Sequence, residues 1–128
     1  MGYRPRILYV EDDEAIAEMY RLGLDRSGYE VTIASTGLRA LQLLGERDFD
    51  LVLLDVMLPG MDGIEVLERI RATPDLRRLP AAVLSNSELG QSMRDRAWRL
   101  GILGWMTKSA SPPGVVARSL RRWLKLSA

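Results

Sequence analysis

Apolar residues along this chain fall into two alternating textures. Five short runs are almost wholly apolar: ILYV (7–10), VTIA (31–34), LVLL (51–54), AAVL (81–84) and ILGWM (102–106). Continuous rather than alternating hydrophobicity is what strands buried on both faces require. Between the runs, apolar residues recur every three or four positions, the mark of a helix with one buried stripe. The stripes are Ile16, Met19, Tyr20 and Gly23; Leu38, Leu41 and Leu44; Gly63, Val66, Leu67 and Ile70; Leu89, Met93, Ala97 and Leu100; and Val116, Leu120, Trp123 and Leu124.

Punctuation between the segments supports the same division. Asp62 and Glu65 form a D-x-x-E variant of the capping box, so the third helix starts near Gly63. Pro59-Gly60 suits the centre of a type II turn just before it. Ser35-Thr36 reads as a cap for the second helix, and Ser111-Pro112 as an N-cap followed by proline at the first position of the last. Gly28 and Gly101 follow the first and fourth helices as stops. Strict alternation of strand and helix implies a parallel sheet covered on both sides: a doubly wound α/β fold with five strands and five helices.

The length, 128 residues, suits one domain, with a core over about 5–126 and no repeat or linker. No 18-residue apolar run and no secretory leader are visible, so a soluble cytoplasmic protein with no membrane partner is expected. Absences narrow the chemistry further. With no Cys and no His, the chain has no disulfide, no Cys/His zinc site, no thiol nucleophile and no imidazole base. Charge is unevenly spread: residues 1–89 carry 16 acids and 10 bases, residues 90–128 one acid and eight bases. The basic part is read as solvated helix faces or a docking face for a partner protein. Of the 18 basic residues only Lys108 and Lys125 are lysine, which singles both out.

In an open parallel sheet, ligands bind beyond the carboxyl ends of the strands. Glu11, Asp12 and Asp13 follow the first run, Asp55 the third, Ser85 the fourth, and Lys108 the fifth. Singly, each has an ordinary explanation. Asp55 would be a turn residue, Ser85 a cap for the fourth helix, Lys108 a surface charge, and the acids from Glu11 to Glu14 a favourable helix start. Together they place polar groups at four of five strand ends. An all-oxygen acidic cluster favours a hard cation such as Mg²⁺, and an ammonium and a hydroxyl across from it suit a phosphoryl group. The chemistry implied is phosphoryl transfer to a carboxylate, with Asp55 as nucleophile.

VEDDE after the first run, LVLLDVMLPGMDG at the third, LPAAVLS at the fourth and GWMTK at the fifth resemble the receiver domain of two-component response regulators in type, order and spacing. The resemblance implies a flavodoxin-like sheet of order 2-1-3-4-5. It implies Asp55 as phosphoacceptor, with Mg²⁺ held by Glu11, Asp12, Asp55 and the main-chain carbonyl of Met57. Asp12 is the direct ligand of the acidic pair, and Glu11 holds ion-bound water. Ser85 donates to a phosphoryl oxygen and Lys108 pairs with the phosphoryl group. Trp105 occupies the aromatic switch position, moving inward as Ser85 is drawn to the phosphate. Met57 and Ser87 flank the site and influence how long the phosphate lasts. One departure is Ser109, where the family has proline after the lysine.

The resemblance further implies a phosphorylation switch rather than an enzyme, assisting its own phosphorylation and dephosphorylation. The donor would be a histidine kinase or histidine phosphotransfer protein. The face built by the fourth helix, fifth strand and fifth helix would meet a downstream protein, with room for a homodimer. The alternative is a pseudo-receiver that docks without phosphate. A haloacid dehalogenase-type hydrolase needs an acid two residues after the nucleophile, where Met57 stands. A flavin phosphate would be repelled by Glu11–Asp13. The Arg-rich last helix lacks a DNA-reading motif, so no direct nucleic-acid partner is expected.

Overall fold

The computed structural model describes residues 2–86 and 89–126. Among them, strands β1 (Arg6–Val10), β2 (Glu30–Ala34), β3 (Leu51–Leu54), β4 (Ala81–Ser85) and β5 (Trp105–Thr107) form one parallel sheet of order β2-β1-β3-β4-β5. Helices α1 (Glu14–Arg26), α2 (Gly37–Glu46), α3 (Gly63–Ala72), α4 (Gln91–Arg99) and α5 (Pro113–Trp123) follow the strands in turn. This is the flavodoxin-like order the motifs imply.

Why the central strands are apolar at every position is visible in their alternation. Leu8, Val10, Val52, Leu54, Ala81 and Val83 enter the core under α2, α3 and α4. Their neighbours Ile7, Tyr9, Leu51, Leu53, Ala82 and Leu84 enter the core under α1 and α5. All twelve are fully buried. At about 1.5–3 kcal/mol for each large aliphatic side chain, these two layers dominate what drives the chain to fold.

Helix ends follow the local chemistry. Asp13 caps α1 by accepting the Ile16 amide at 3.0 Å, and Thr36 caps α2 by accepting that of Arg39 at 3.0 Å. The Asp62–Glu65 capping box is complete, with bonds of 2.9 and 3.3 Å in the two directions. Gly28, Gly60 and Gly101 all have positive φ, as the two helix stops and the turn before α3 demand.

Three local expectations need correction. Ser111 does not cap α5: Pro112 is the N-cap and Pro113 takes the first helical position, while Ser111 is buried. The ILGWM run is not all strand. Gly104 lies so close to α5 that a Cβ there would sit 2.3 Å from the Trp123 ring, and the ladder begins only at Trp105. Met19 and Leu38, placed on buried stripes, are exposed. The buried faces are instead Ala17, Tyr20 and Leu24 on α1, and Gly37, Ala40, Leu43 and Leu44 on α2.

Candidate phosphoacceptor site

Asp55 leaves β3 at the carboxyl edge of the sheet, and its backbone continues the ladder through an N–H donated to the Val10 carbonyl at 3.0 Å. Glu11 is fastened alike on the next strand, its N–H reaching the Ala34 carbonyl at 3.0 Å. Both residues are almost wholly buried, Asp55 at 3% and Glu11 at 2% exposure. A buried carboxylate must be paired or it forces a large free-energy cost. The fold supplies the partners.

Ser85 Oγ donates to Asp55 Oδ1 at 2.8 Å, and the Met57 N–H to the same oxygen at 3.3 Å. Lys108 Nζ lies 2.9 Å from Asp55 Oδ2 and 2.6 Å from Glu11 Oε1, bridging the two acids. The remaining Glu11 contacts are the Tyr9 hydroxyl on Oε1 at 3.1 Å and the Asp13 N–H on Oε2 at 3.2 Å. Ligand oxygens of Glu11, Asp12 and Asp55 all lie within 4.8 Å of one another, and the Asp12 side chain is exposed at the mouth. Three carboxylates without a nitrogen or sulfur donor form a hard-oxygen set, which fits Mg²⁺ better than zinc or copper.

Electrostatics follow from this packing. Burial pushes the Glu11 carboxyl above the ordinary glutamate range, against the pull of Lys108 and the Asp13 amide. Burial alone would lower Lys108, but its bonds to Glu11 and Asp55 outweigh it and hold the ammonium above the ordinary lysine range. Glu11 is thus a carboxylate taken out of water, and Lys108 a cation held firmly by its neighbours.

The structure therefore brings together Glu11, Asp12, Asp55, Ser85 and Lys108, with Met57 following Asp55 and its side chain 57% exposed. Asp13 is the α1 cap. Trp105 is half-buried at the start of β5, its Nε1–H enclosed without a hydrogen-bond partner and the Arg94 guanidinium 5.1 Å above its ring. The Lys108–Ser109 bond is not cis. Ser87 lies outside the described residues.

Three contributors escaped the reading of motifs. Tyr9 and Tyr20 are buried with hydroxyls on site elements. A lone aromatic in an aliphatic strand was the available signal for Tyr9. The third is Gly63, whose N–H donates to the Val56 carbonyl at 2.9 Å. A Cβ at Gly63 would sit 2.2 Å from the Asp55 carbonyl oxygen and 2.9 Å from Val56 Cα, both backbone atoms that cannot step aside. Gly63→Ala is expected to lose about 3 kcal/mol of stability, at the upper end of ordinary overpacking, by urea denaturation.

A family model described as response regulator receiver domain matches residues 7–119. The phosphate regulon transcriptional regulatory protein PhoB of Rhizobium meliloti is 39% identical over 114 residues, 89% of this chain and 50% of its own length. The alkaline phosphatase synthesis transcriptional regulatory protein PhoP of Bacillus subtilis is 37% identical over 88% of this chain and 46% of its own. The chain thus spans half or less of the length of these curated relatives. Among solved structures, the chemotaxis response regulator CheY4 of Vibrio cholerae superposes with a TM-score of 0.84 at 27% identity, over 94% of this chain and 99% of its own. A CheY-like receiver domain protein from Methanospirillum hungatei gives 0.86 at 27%, over 96% and 95%.

Proposed function

Because the chain belongs to the response regulator receiver domain family, we propose that it is a phosphorylation switch whose acceptor is Asp55. One observation carries the reading. The Asp55 carboxylate is buried at the sheet edge, gripped by a hydroxyl, a backbone N–H and an ammonium, beside two further acids. A carboxylate that served only as a turn residue would need none of this.

The donor is a phosphohistidine on a histidine kinase or histidine phosphotransfer protein, the partners of receiver domains, and the chain has no histidine of its own to serve in that role. An Asp55 oxygen attacks phosphorus and an O–P bond forms. The N–P bond breaks, its electron pair leaves with the imidazole nitrogen, and that nitrogen takes up a proton. Glu11, Asp12, Asp55 and the Met57 carbonyl would hold Mg²⁺, which when bound neutralises charge on the phosphoryl oxygens. Ser85 and Lys108 donate to those oxygens, which draws both away from their present bonds to Asp55. A dianionic group at a crowded site then biases the surface of α4, β5 and α5, with half-buried Trp105 at the start of β5 as the switch residue and Trp98 half exposed. A downstream protein reads that surface. No helix among the described residues is long and apolar enough to cross a membrane. The location we propose is the cytoplasm, on the ground of the phosphohistidine donors alone.

The test is incubation with acetyl phosphate, with and without Mg²⁺, followed by intact mass. One phosphoryl adduct per chain is expected with Mg²⁺, and none when the ion is chelated. A folded chain that takes no adduct from acetyl phosphate or phosphoramidate would instead be a phosphate-independent docking module.

A further inference from the structure

Two buried tyrosines stand behind the site, and neither is explained by packing alone. Tyr9 on β1 and Tyr20 on α1 meet edge to face, ring centroids 5.8 Å apart at 78°. Phenylalanine would fill the same apolar space, so what distinguishes these residues is where their hydroxyls go. The Tyr9 hydroxyl donates to Glu11 Oε1 at 3.1 Å. The Tyr20 hydroxyl donates to the Ser111 carbonyl at 2.7 Å and reaches the Lys108 carbonyl at 3.4 Å. It thus spans both ends of the short turn Lys108–Ala110 that carries the ammonium.

We infer that Tyr9 and Tyr20 are positioning residues for phosphoryl transfer, Tyr9 for the Glu11 carboxylate and Tyr20 for the turn presenting Lys108. The inference rests on the phosphoacceptor reading above. Glu11 Oε1 now shares two donors, Lys108 Nζ and the Tyr9 hydroxyl. When the ammonium swings to an incoming phosphoryl group, it leaves that oxygen. Tyr9 stays, keeping a buried carboxylate partnered and aimed through the transfer. Tyr20 acts at the other end. Ser109 and Ala110 are exposed, so within the turn itself little packing holds the backbone, and a phenol anchored in α1 fixes where the lysine stem begins.

A third tyrosine supplies the control. Tyr29 is as buried as the others, but its hydroxyl donates to the Ala117 carbonyl of α5 at 2.9 Å, away from the acids. Each tyrosine is replaced by phenylalanine in the full chain. Mg²⁺ affinity is then read by calorimetry, the phosphorylation rate by intact mass with acetyl phosphate, and folding by thermal melting. Tyr9→Phe is expected to bind Mg²⁺ about tenfold more weakly, with its rate recovering as Mg²⁺ is raised. Tyr20→Phe is expected to keep its Mg²⁺ affinity and lose roughly five- to tenfold in rate at saturating Mg²⁺. Tyr29→Phe should move only the melting temperature. Unchanged Mg²⁺ affinity in Tyr9→Phe, an unchanged rate in Tyr20→Phe, or equal losses in Tyr29→Phe would each overturn the inference. Failure of the parent chain to form an adduct would overturn the phosphoacceptor reading instead, and the Mg²⁺ titration would still decide the role of Tyr9.

Discussion

Asp55→Asn is expected to take up no phosphoryl group from acetyl phosphate under conditions that give the parent chain one adduct, read by intact mass. The substitution is close to isosteric, and the amide oxygen can accept from Ser85 and the Met57 N–H as Oδ1 does now. The fold should therefore survive. What changes is chemical: an amide oxygen is a poor nucleophile, and the amide hydrogens would face Lys108 Nζ, donor against donor, where a carboxylate oxygen now sits at 2.9 Å. Lys108 is left with Glu11 at 2.6 Å. An adduct of undiminished size in this variant would move the acceptor to another acid and sink the assignment of Asp55.

Lys108→Met carries the largest expected effect on stability. Its ammonium is the cation between two carboxylates whose side chains are 1% and 4% exposed, while its own side chain is 12% exposed. Methionine keeps the apolar stem and removes the charge. Breaking a buried pair by deleting one partner costs roughly 3–5 kcal/mol, because the other charge remains without compensation. Here two acids remain. The loss is expected in urea denaturation at neutral pH without divalent ions, and Mg²⁺ should restore more stability to the variant than to the parent. The pH dependence has a definite sign. The folded pKa of Glu11 is already raised by burial from the ordinary 4.5, and losing Lys108 removes a group that lowers it. A carboxyl raised in the folded state favours folding below its unfolded pKa and loses that favour as pH rises through the folded value. The deficit should therefore shrink as pH falls toward 4.5. A deficit that is constant or grows on acidification would show that Lys108 is held for packing and not for charge.

Most of the architecture is legible in the sequence because its central strands are buried on both faces, while β2 and β5 at the edges are mostly half-buried. A run such as LVLL can only be central, and a carboxylate at its end can only be at a rim. That is why Asp55, Glu11, Ser85 and Lys108 could be placed at one edge from strand ends alone, and why the structure finds them within bonding distance.

Helix faces are less legible, for a physical reason. Where two elements approach closely, the contact is made by small residues, which a search for large apolar ones passes over. A Cβ on Gly37, for example, would lie 2.6 Å from Val66. Gly37 and Ala40 thus turn α2 inward and Leu38 outward, while Ala17 and Tyr20 leave Met19 in solvent. The tyrosine hydroxyls fail for another reason. Tyr20 meets a carbonyl 91 residues away, and no local pattern encodes such a meeting. Gly63 is intermediate: its place at the start of a helix is plain in the sequence, but its closeness to Asp55 depends on how the turn at Pro59-Gly60 folds back.

The two outer strands also bear on how this chain behaves at high concentration. An open sheet edge is a template on which a second chain can zip up backbone to backbone. At one side β5 offers only three residues, bounded by the crowded Gly104 and the turn at Lys108. At the other, β2 opens on the exposed Glu30, which faces Arg6 at 3.3 Å. Neither border is a long, flat, uncharged ribbon. Many copies can therefore crowd together with little inducement to aggregate through their sheets.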